Sequence, residues 1–482
     1  MKQVKTACVL GALIVAFCVS MFSCSNNVLK VDDTSDTSAP NFILILADDQ
    51  GWNGTSVQMM ADEPLSKSDY HETPYLESLA SQGMRFSHAY ASAPVCAPSR
   101  YSIQFGKTPA RLSLIRVGMN SDHIQHETWT SIPKALKSIN SNYVAAHFGK
   151  WGMGSLPEVL GYDQSDGPTQ NKEGGFVNNK SQWDYTTTKD PKRIFSLTDQ
   201  AVSFLEEATS NQTPFYLQIS HYAVHSSLQM QASSLENFQS KAPGSHHKDA
   251  GLASMTYDLD QGLGVLMSKI KDLGIDDNTY IIYMSDNGSV PNIPGAKKYQ
   301  ESYNFPLSRG KWDAMEGGIR VPLVIAGPGI ESMTESTAPV SGSDLLPTIT
   351  ALAGDLPNQL DEIDGGSFKH LLLQESNNAI DRSVDGLFFH VPYENGIAFK
   401  RAHSAVRKGD MKLIRFQDNG ELQLYNVVQD KMEMNNLSDS LPAIALEMEK
   451  TLLDYLKSVH APKWKEGITW KEKPLSEFNS TY

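Results

Sequence analysis

The run Phe42-Ile43-Leu44-Ile45-Leu46-Ala47 is apolar at every position. That is the pattern of a strand buried on both faces of a parallel sheet, not of one wetted on alternate residues. Runs of the same kind recur at Tyr143 to Ala146, Phe215 to Ile219, Tyr280 to Met284 and Leu323 to Ala326. Between them apolar positions return at helical spacing, over Pro74 to Gln82, Leu197 to Ala208, Tyr257 to Leu273 and Asp344 to Ala353. Strands alternating with helices predict an α/β fold, with a large, mostly parallel central sheet flanked by helices. The pattern changes between Leu371 and Asp385. Beyond it, short strands are predicted at Ala405 to Arg407, Met411 to Phe416 and Leu422 to Tyr425, followed by a helix from Leu441 to Val459. Turn signals at Lys408-Gly409-Asp410 and Asp418-Asn419-Gly420 suit a small antiparallel sheet. The expected organisation is an α/β domain over residues 41–375 and an α+β subdomain over 376–482.

The start of the chain is of another kind. Lys2 and Lys5 precede an apolar stretch from Ala7 to Phe22, which reads as an export signal and not as a fold element. Met21-Phe22-Ser23-Cys24 resembles a bacterial lipobox, so residues 1–24 are expected to be a lipoprotein signal peptide with Cys24 lipidated. Cleavage elsewhere, or an uncleaved membrane anchor, is the alternative. The polar stretch from Ser25 to Pro40 then reads as a flexible tether. The expected location is the periplasm or the outer membrane and cell surface. Once Cys8, Cys18 and Cys24 are removed or modified, Cys96 has no partner for an intramolecular disulfide. The formal charge of -14 excludes nucleic acid as an expected partner. An anionic ligand would have to be held by local lysines and arginines inside a cleft.

Open α/β sheets bind ligands at the carboxyl ends of their strands. Two predicted strands end in acidic groups, Asp48-Asp49-Gln50-Gly51 and Ser285-Asp286-Asn287-Gly288. Such residues serve as solvated turns or helix caps when they stand alone. Two clusters on two buried strands point to a hard cation held by oxygen, calcium ahead of magnesium. No cysteine and histidine spacing suggests zinc. The segment Cys96-Ala97-Pro98-Ser99-Arg100 puts a lone cysteine at the start of a helix running towards Phe105, with Pro98 as its expected first helical residue. There it is either a buried structural thiol or a nucleophile facing an anion at a helix N-terminus.

The C-x-P-S-R core at Cys96 to Arg100 resembles the maturation signature of the formylglycine-dependent sulfatases, members of the alkaline phosphatase superfamily. Other elements resemble that family in the same order: Gly149-Lys150-Trp151, His225 after His221, Lys311 in Arg309-Gly310-Lys311, and Glu316-Gly317-Gly318-Ile319-Arg320-Val321-Pro322. The likeness continues through Asp344-Leu345-Leu346-Pro347-Thr348, Ala405 to Asp410 and Leu424-Tyr425-Asn426, and spans about Asn41 to Leu437. It implies that Cys96 is oxidised to formylglycine by a sulfatase-maturating enzyme and that its hydrate attacks sulfur. It also implies one calcium ion held by Asp48, Asp49, Asp286, Asn287 and an oxygen of the modified Cys96. Arg100, Lys150 and Lys311 then add positive charge, and His225 is the expected acid for the leaving hydroxyl, protonated near neutral pH.

An exported sulfatase acting on sulfated carbohydrate is the reading that follows. A phosphoryl or phosphonate ester hydrolase using the same formylglycine is the alternative within enzymes, and a non-catalytic binder of sulfated glycans the alternative outside them. Two departures from the family pattern stand out. Gly152 occupies the place of a histidine, for which His147 and His221 are candidate replacements, and Phe105-Gly106-Lys107 replaces a usual Thr-Gly-Arg. His390, His403, Asn120 and His123 are open candidates for lining the substrate pocket.

Overall fold

The strand β1 (Asn41–Ala47) is buried along its whole length. Its Ile43, Ile45 and Ala47 enter one hydrophobic core and its Phe42, Leu44 and Leu46 another, as alternation across a doubly covered strand requires. The computed structural model describes residues 39–293, 303–354, 360, 362–376, 379–397 and 399–482. The expected signal peptide, and the tether up to residue 38, lie outside the described residues.

Around β1 the sheet is completed by β2 (Met84–Phe86), β3 (Val144–Gly149), β4 (Gln164–Ser165), β5 (Phe215–Ser220), β6 (Thr279–Ser285), β7 (Leu323–Ala326) and β8 (Thr334–Ser336). Its order is β8-β2-β7-β6-β1-β5-β3-β4, eight strands among the described residues. Only β7 runs against its neighbours, antiparallel to both β6 and β2. The mostly parallel sheet expected from the sequence is thus present, with one inverted strand that its apolar run does not distinguish.

Helices α1 (Pro74–Gln82), α2 (Cys96–Phe105), α3 (Ile132–Ile139), α4 (Ile194–Ser210), α5 (Ala250–Asp272) and α6 (Leu345–Ala353) cover the sheet. The core of Ile43 and Ile45 takes side chains from α1, α4 and α5, and the opposite core takes them from α2, α3 and α6. α5 starts well before the predicted Tyr257, because Asp249 caps it by accepting from Leu252 N at 2.7 Å. Inside α5, Asp260 accepts from Tyr75 N and Leu76 N and so caps α1.

The second sheet has four antiparallel strands, β9 (Leu387–Val391), β10 (His403–Lys408), β11 (Met411–Phe416) and β12 (Leu422–Asn426). β9 lies just past the point where the pattern changes and has no counterpart in the predicted elements. One face packs on α7 (Pro442–Ser458) through Phe388, Val406, Leu413 and Leu424. The other face meets Tyr90, Ile115 and Ile319 of the larger sheet's surroundings. Residues 38–482 form one compact unit.

Candidate active site

β1 and β6 run parallel with Ala47 beside Ser285, so the residues that follow each strand emerge together at the carboxyl edge. Asp286 N donates to Ala47 O at 3.0 Å, and Asp49 N donates to Asp286 Oδ1 at 3.2 Å. Asp49 holds a left-handed backbone, φ 61°, which turns the chain sharply as it leaves the strand. Oxygens of Asp48, Asp49 and Asp286 lie within 4.8 Å of one another, and all three side chains are buried. Three carboxylates so close repel unless cations stand among them.

Three cations do. Lys150, just past the end of β3, donates to Asp48 Oδ2 at 2.6 Å. Lys311 reaches both oxygens of Asp49, at 2.6 and 2.8 Å. Arg100 forks onto Asp286 Oδ2 through Nε at 2.9 Å and Nη2 at 2.7 Å, and its Nη1 donates to Lys150 O at 2.5 Å. Burial opposes the Asp48 charge, yet Lys150 together with Arg100 and Lys311 holds its carboxyl well below the usual range. Asp286 is pushed the other way, by burial and by the Asp48 charge beside it.

Two buried acceptors remain without a hydrogen-bond donor, Asp48 Oδ1 and Asn287 Oδ1. The amide of Asn287 spends its nitrogen on Asp49 Oδ1 and Gly288 O, which leaves its carbonyl oxygen for something else. Hard-oxygen donors converging with two orphan lone-pair sites are what a calcium-like cation needs, and an unsatisfied buried acceptor is otherwise costly. The donor set therefore fits such an ion.

Cys96 is the first residue of α2, two residues earlier than Pro98 was expected to start it. Proline is accommodated as the third helical residue because the first N–H groups of a helix have no internal partner. Cys96 is buried and forms no disulfide. Trp312 N donates to Pro94 O at 2.9 Å, which brings the Lys311 segment against the residues ahead of Cys96. The Cys96 side chain lies within electrostatic reach of Arg100, Lys150 and Lys311 alike. At the other end of α2, Gly106 takes φ 63° and its N–H closes on Ser102 O, a left-handed cap that the Phe105-Gly106-Lys107 departure leaves intact.

His225 Nε2 lies 3.6 Å from Asp49 Oδ2 and 3.4 Å from Asn171 Nδ2, and its Nδ1 lies 2.6 Å from Ser226 O. Phe176 packs edge-on against the ring. Burial pushes the imidazole down to about 4, against the pull of Asp49. To carry a proton near neutral pH the ring needs further negative charge beside it.

The histidine candidates for the place of Gly152 are both buried, and each keeps an Nδ1 without a hydrogen-bond partner among the described residues. His147 Nε2 lies 3.0 Å from Ser220 Oγ, and its ring packs edge-on to Trp151 and Tyr162. His221 is buried, and burial holds it near 4. A Cβ on Gly152 would stand 3.1 Å from Arg100 Cδ and 3.8 Å from Lys150 Cε, beside the cations of the site. His390 is bound between Ser404 Oγ and Pro462 O, and His403 accepts from Ala314 N. His123 engages Leu112 O and Asn120 pairs with Asp122, so each of the four open candidates has a local hydrogen-bond partner. Asn171 and Phe176, half-buried against His225, and the buried Lys192 are neighbours that the sequence reading missed; none belongs to a motif.

A mostly parallel sheet carrying carboxylates, an amide and three cations at its carboxyl edge, with a helix N-terminus bearing the cysteine, defines an alkaline phosphatase superfamily hydrolase. A family profile described as Sulfatase matches residues 40–355, and one described as N-sulphoglucosamine sulphohydrolase, C-terminal, matches residues 311–470. The chain belongs to the sulfatase family and is a sulfuric ester hydrolase. Sulfatases are generally dependent on formylglycine and on a metal. Among its relatives, a sulfatase of Formosa agariphila is 26% identical over 512 residues, covering 88% of this chain and 90% of that protein. An ulvan-active sulfatase of the same organism is 23% identical, covering 88% and 82%. The crystal structure of Ps i-CgsB in complex with k-i-k-neocarrahexaose is 25% identical with a TM-score of 0.70, covering 89% of this chain and 96% of that one.

Proposed function

We propose that this chain is an exported sulfatase that hydrolyses sulfate esters of glycans, with Cys96 matured to formylglycine and one calcium ion at the acidic cluster. The observation that carries the reading is the pair of orphan acceptors, Asp48 Oδ1 and Asn287 Oδ1, beside two more carboxylates at the N-terminus of the Cys96 helix. Asp48, Asp49, Asp286 and Asn287 would hold the ion, with the modified Cys96 as a further ligand. The matured residue supplies the nucleophile, and the ion supplies charge opposite the nonbridging sulfate oxygens.

The chain's own groups do the rest. Lys150 and Lys311 orient the sulfate and hold their carboxylates ionised, while Arg100 fixes Asp286 and ties it to the Lys150 backbone. His225 faces the leaving oxygen. Its ring is neutral at rest, and the negative charge of a bound ester raises its affinity for the proton it hands to the departing alcohol. One relative described as ulvan-active, and a structural neighbour in complex with k-i-k-neocarrahexaose, support a sulfated polysaccharide as substrate. Export with lipidation at Cys24, and a division of the chain at about residue 375 where the second sheet begins, belong to the same proposal. Among the described residues no helix is long and apolar enough to cross a membrane.

The deciding experiment offers the matured, calcium-loaded protein a set of defined sulfated mono- and disaccharides beside phosphate and phosphonate esters of the same alcohols. Preferential release of sulfate is expected. Faster hydrolysis of the phosphorus esters would make it a phosphoryl or phosphonate hydrolase, and binding without turnover would make it a lectin-like protein.

A further inference from the structure

Lys192 sits in the short turn Pro191–Arg193 that leads into α4. Lys192 and Arg193 both adopt left-handed backbone, φ 52° and 57°, a conformation that residues with a side chain rarely take. The turn is pinned in place. Lys192 N donates to Gln229 Oε1 at 2.9 Å, and Asp190 Oδ1 accepts from Phe195 N and Ser196 N. Asp166 Oδ2 accepts from Arg193 Nη2 at 3.3 Å and from Gly149 N at 3.0 Å, which fastens the turn to the residue before Lys150. The two neighbouring side chains have different fates. Arg193 is half-buried on Asp166, whereas Lys192 is 1% exposed.

Among the described residues the Lys192 ammonium has no hydrogen bond and no ion pair, unlike Arg100, Lys150 and Lys311. Burying an ammonium without a partner is expensive, so such a group is kept where something else arrives to neutralise it. The charges that reach it are Asp48, Lys150 and Asp49, all in the catalytic pocket. Burial pulls it down to about 7, as expected of a cation whose compensation is incomplete. The carboxylates Asp48, Asp49 and Asp286 are balanced by Arg100, Lys150 and Lys311, and Lys192 stands beyond that balance. The calcium ion proposed at these carboxylates would add to that excess, so an anion is what the loaded pocket lacks. Gly152 leaves a position beside Lys150 and Arg100 without a side chain, and the turn that carries Lys192 is tied through Asp166 to Gly149, the residue before the same Lys150.

We propose that Lys192 is a sulfate-binding residue of the catalytic pocket, its ammonium donating to a nonbridging oxygen of the bound sulfate group in place of the imidazole that Gly152 lacks. The assignment rests on the sulfatase reading of the pocket. Lys192→Met keeps the length and packing of the side chain and removes the charge, and Lys192→Arg restores a charge. The test measures binding of inorganic sulfate to the full, matured, calcium-loaded chain by calorimetry, with KM for a sulfated sugar and the melting temperature alongside. Lys192→Met should weaken sulfate binding and raise KM, each by about 10-fold or more, the scale of a charge-assisted hydrogen bond. Its melting temperature should stay level or rise, since an uncompensated charge has been removed. Lys192→Arg should recover part of the sulfate affinity.

Sulfate affinity in Lys192→Met equal to the wild type overturns the proposal. If the methionine variant binds sulfate poorly and also melts early, the arginine variant decides: recovered affinity supports the contact, and none overturns it. A wild-type protein that is inert toward every sulfate ester, yet binds inorganic sulfate through Lys192, would sink the catalytic reading and leave this contact standing.

Discussion

Asn287 donates its amide nitrogen to Asp49 Oδ1 at 2.8 Å, and that bond decides which end of the amide faces the acidic cluster. With a second bond to Gly288 O, both amide hydrogens are committed, and the carbonyl oxygen is presented without a donor of its own. A side chain of the same shape with two oxygens would turn an acceptor towards Asp49 and repel it.

The cation site is tested at this residue. Asn287→Ala should lower calcium affinity by roughly 10- to 100-fold, the usual scale for losing one well-placed group of a metal site. Sulfatase activity at limiting calcium should fall in parallel. Calorimetric titration of the purified protein reads the first effect and assays across calcium concentrations the second. Chelation should abolish turnover and calcium restore it; activity indifferent to chelator, or restored by zinc alone, would show that the cluster serves another purpose.

Maturation is tested at Cys96. Coexpressed with a competent maturase, the peptide carrying Cys96 should show the mass of formylglycine in part or whole, because the C-x-P-S-R core is intact and Gly106 still caps the helix. Exclusively unmodified cysteine, under conditions that convert a control sulfatase, would remove the proposed nucleophile.

The role of His225 is read by a contrast of substrates. His225→Ala should slow hydrolysis of a sulfated sugar by roughly 10²-fold or more, the scale of a positioned acid, while an aryl sulfate with its stable leaving anion is far less affected. Equal losses on both would place His225 in sulfate binding or in holding the fold.

Stability should fall in acid for a reason visible away from the site. Burial pushes His71 down to about 3 and His390 to about 4. Both rings are neutral in the folded protein, while in the unfolded chain they take up protons below about pH 6.5. Their contribution is therefore fully present above pH 6.5 and lost progressively as pH falls, towards 4 for His390 and towards 3 for His71, at up to about 1.4 kcal/mol per pH unit for each ring. Urea unfolding at pH 7, 5.5 and 4.5 measures the slope. His390→Asn should flatten it, and an unchanged slope in that variant would show that the ring is already protonated when folded.

The contact between the two sheets depends on a buried ammonium. Lys412 of β11 pairs with Glu316 Oε1 at 3.0 Å and with Glu433 Oε1 at 2.6 Å, all three fully enclosed. Lys412→Met leaves two carboxylates buried together and should cost roughly 3–5 kcal/mol, as the breaking of other buried pairs does. Denaturant unfolding followed by tryptophan fluorescence reads it, since Trp470 lies in the core beneath the second sheet. A loss below 1 kcal/mol would mean that the carboxylates find protons or water instead.

The chain by itself determined five strands of the larger sheet and the chemistry at the ends of two of them, while the short β2, β4 and β8 carry no apolar run to read. Six consecutive apolar residues before Asp48-Asp49 can only be buried on both faces, and a carboxylate pair that ends such a strand must emerge at the sheet's edge. From its residues alone Cys96 to Arg100 was legible only as a lone cysteine at the start of a helix, and its chemistry came from the resemblance of the C-x-P-S-R core to a family signature. What lay beyond reading was everything set by partners distant in sequence. The inversion of β7, the pairing of Ala47 with Ser285 that brings Asp48 to Asp286, and the end of the Asn287 amide that stays free are all outcomes of packing. So are the fates of the histidines, since an imidazole in a motif-like position looks the same whether it faces solvent, Ser220 or a sulfate. Lys192 shows the limit most plainly. A lysine in Asp190-Pro191-Lys192-Arg193 reads as a solvated charge, and only the strained turn locked through Asp166 to Gly149 drives it inward, because burial belongs to the assembled fold and not to any stretch of chain.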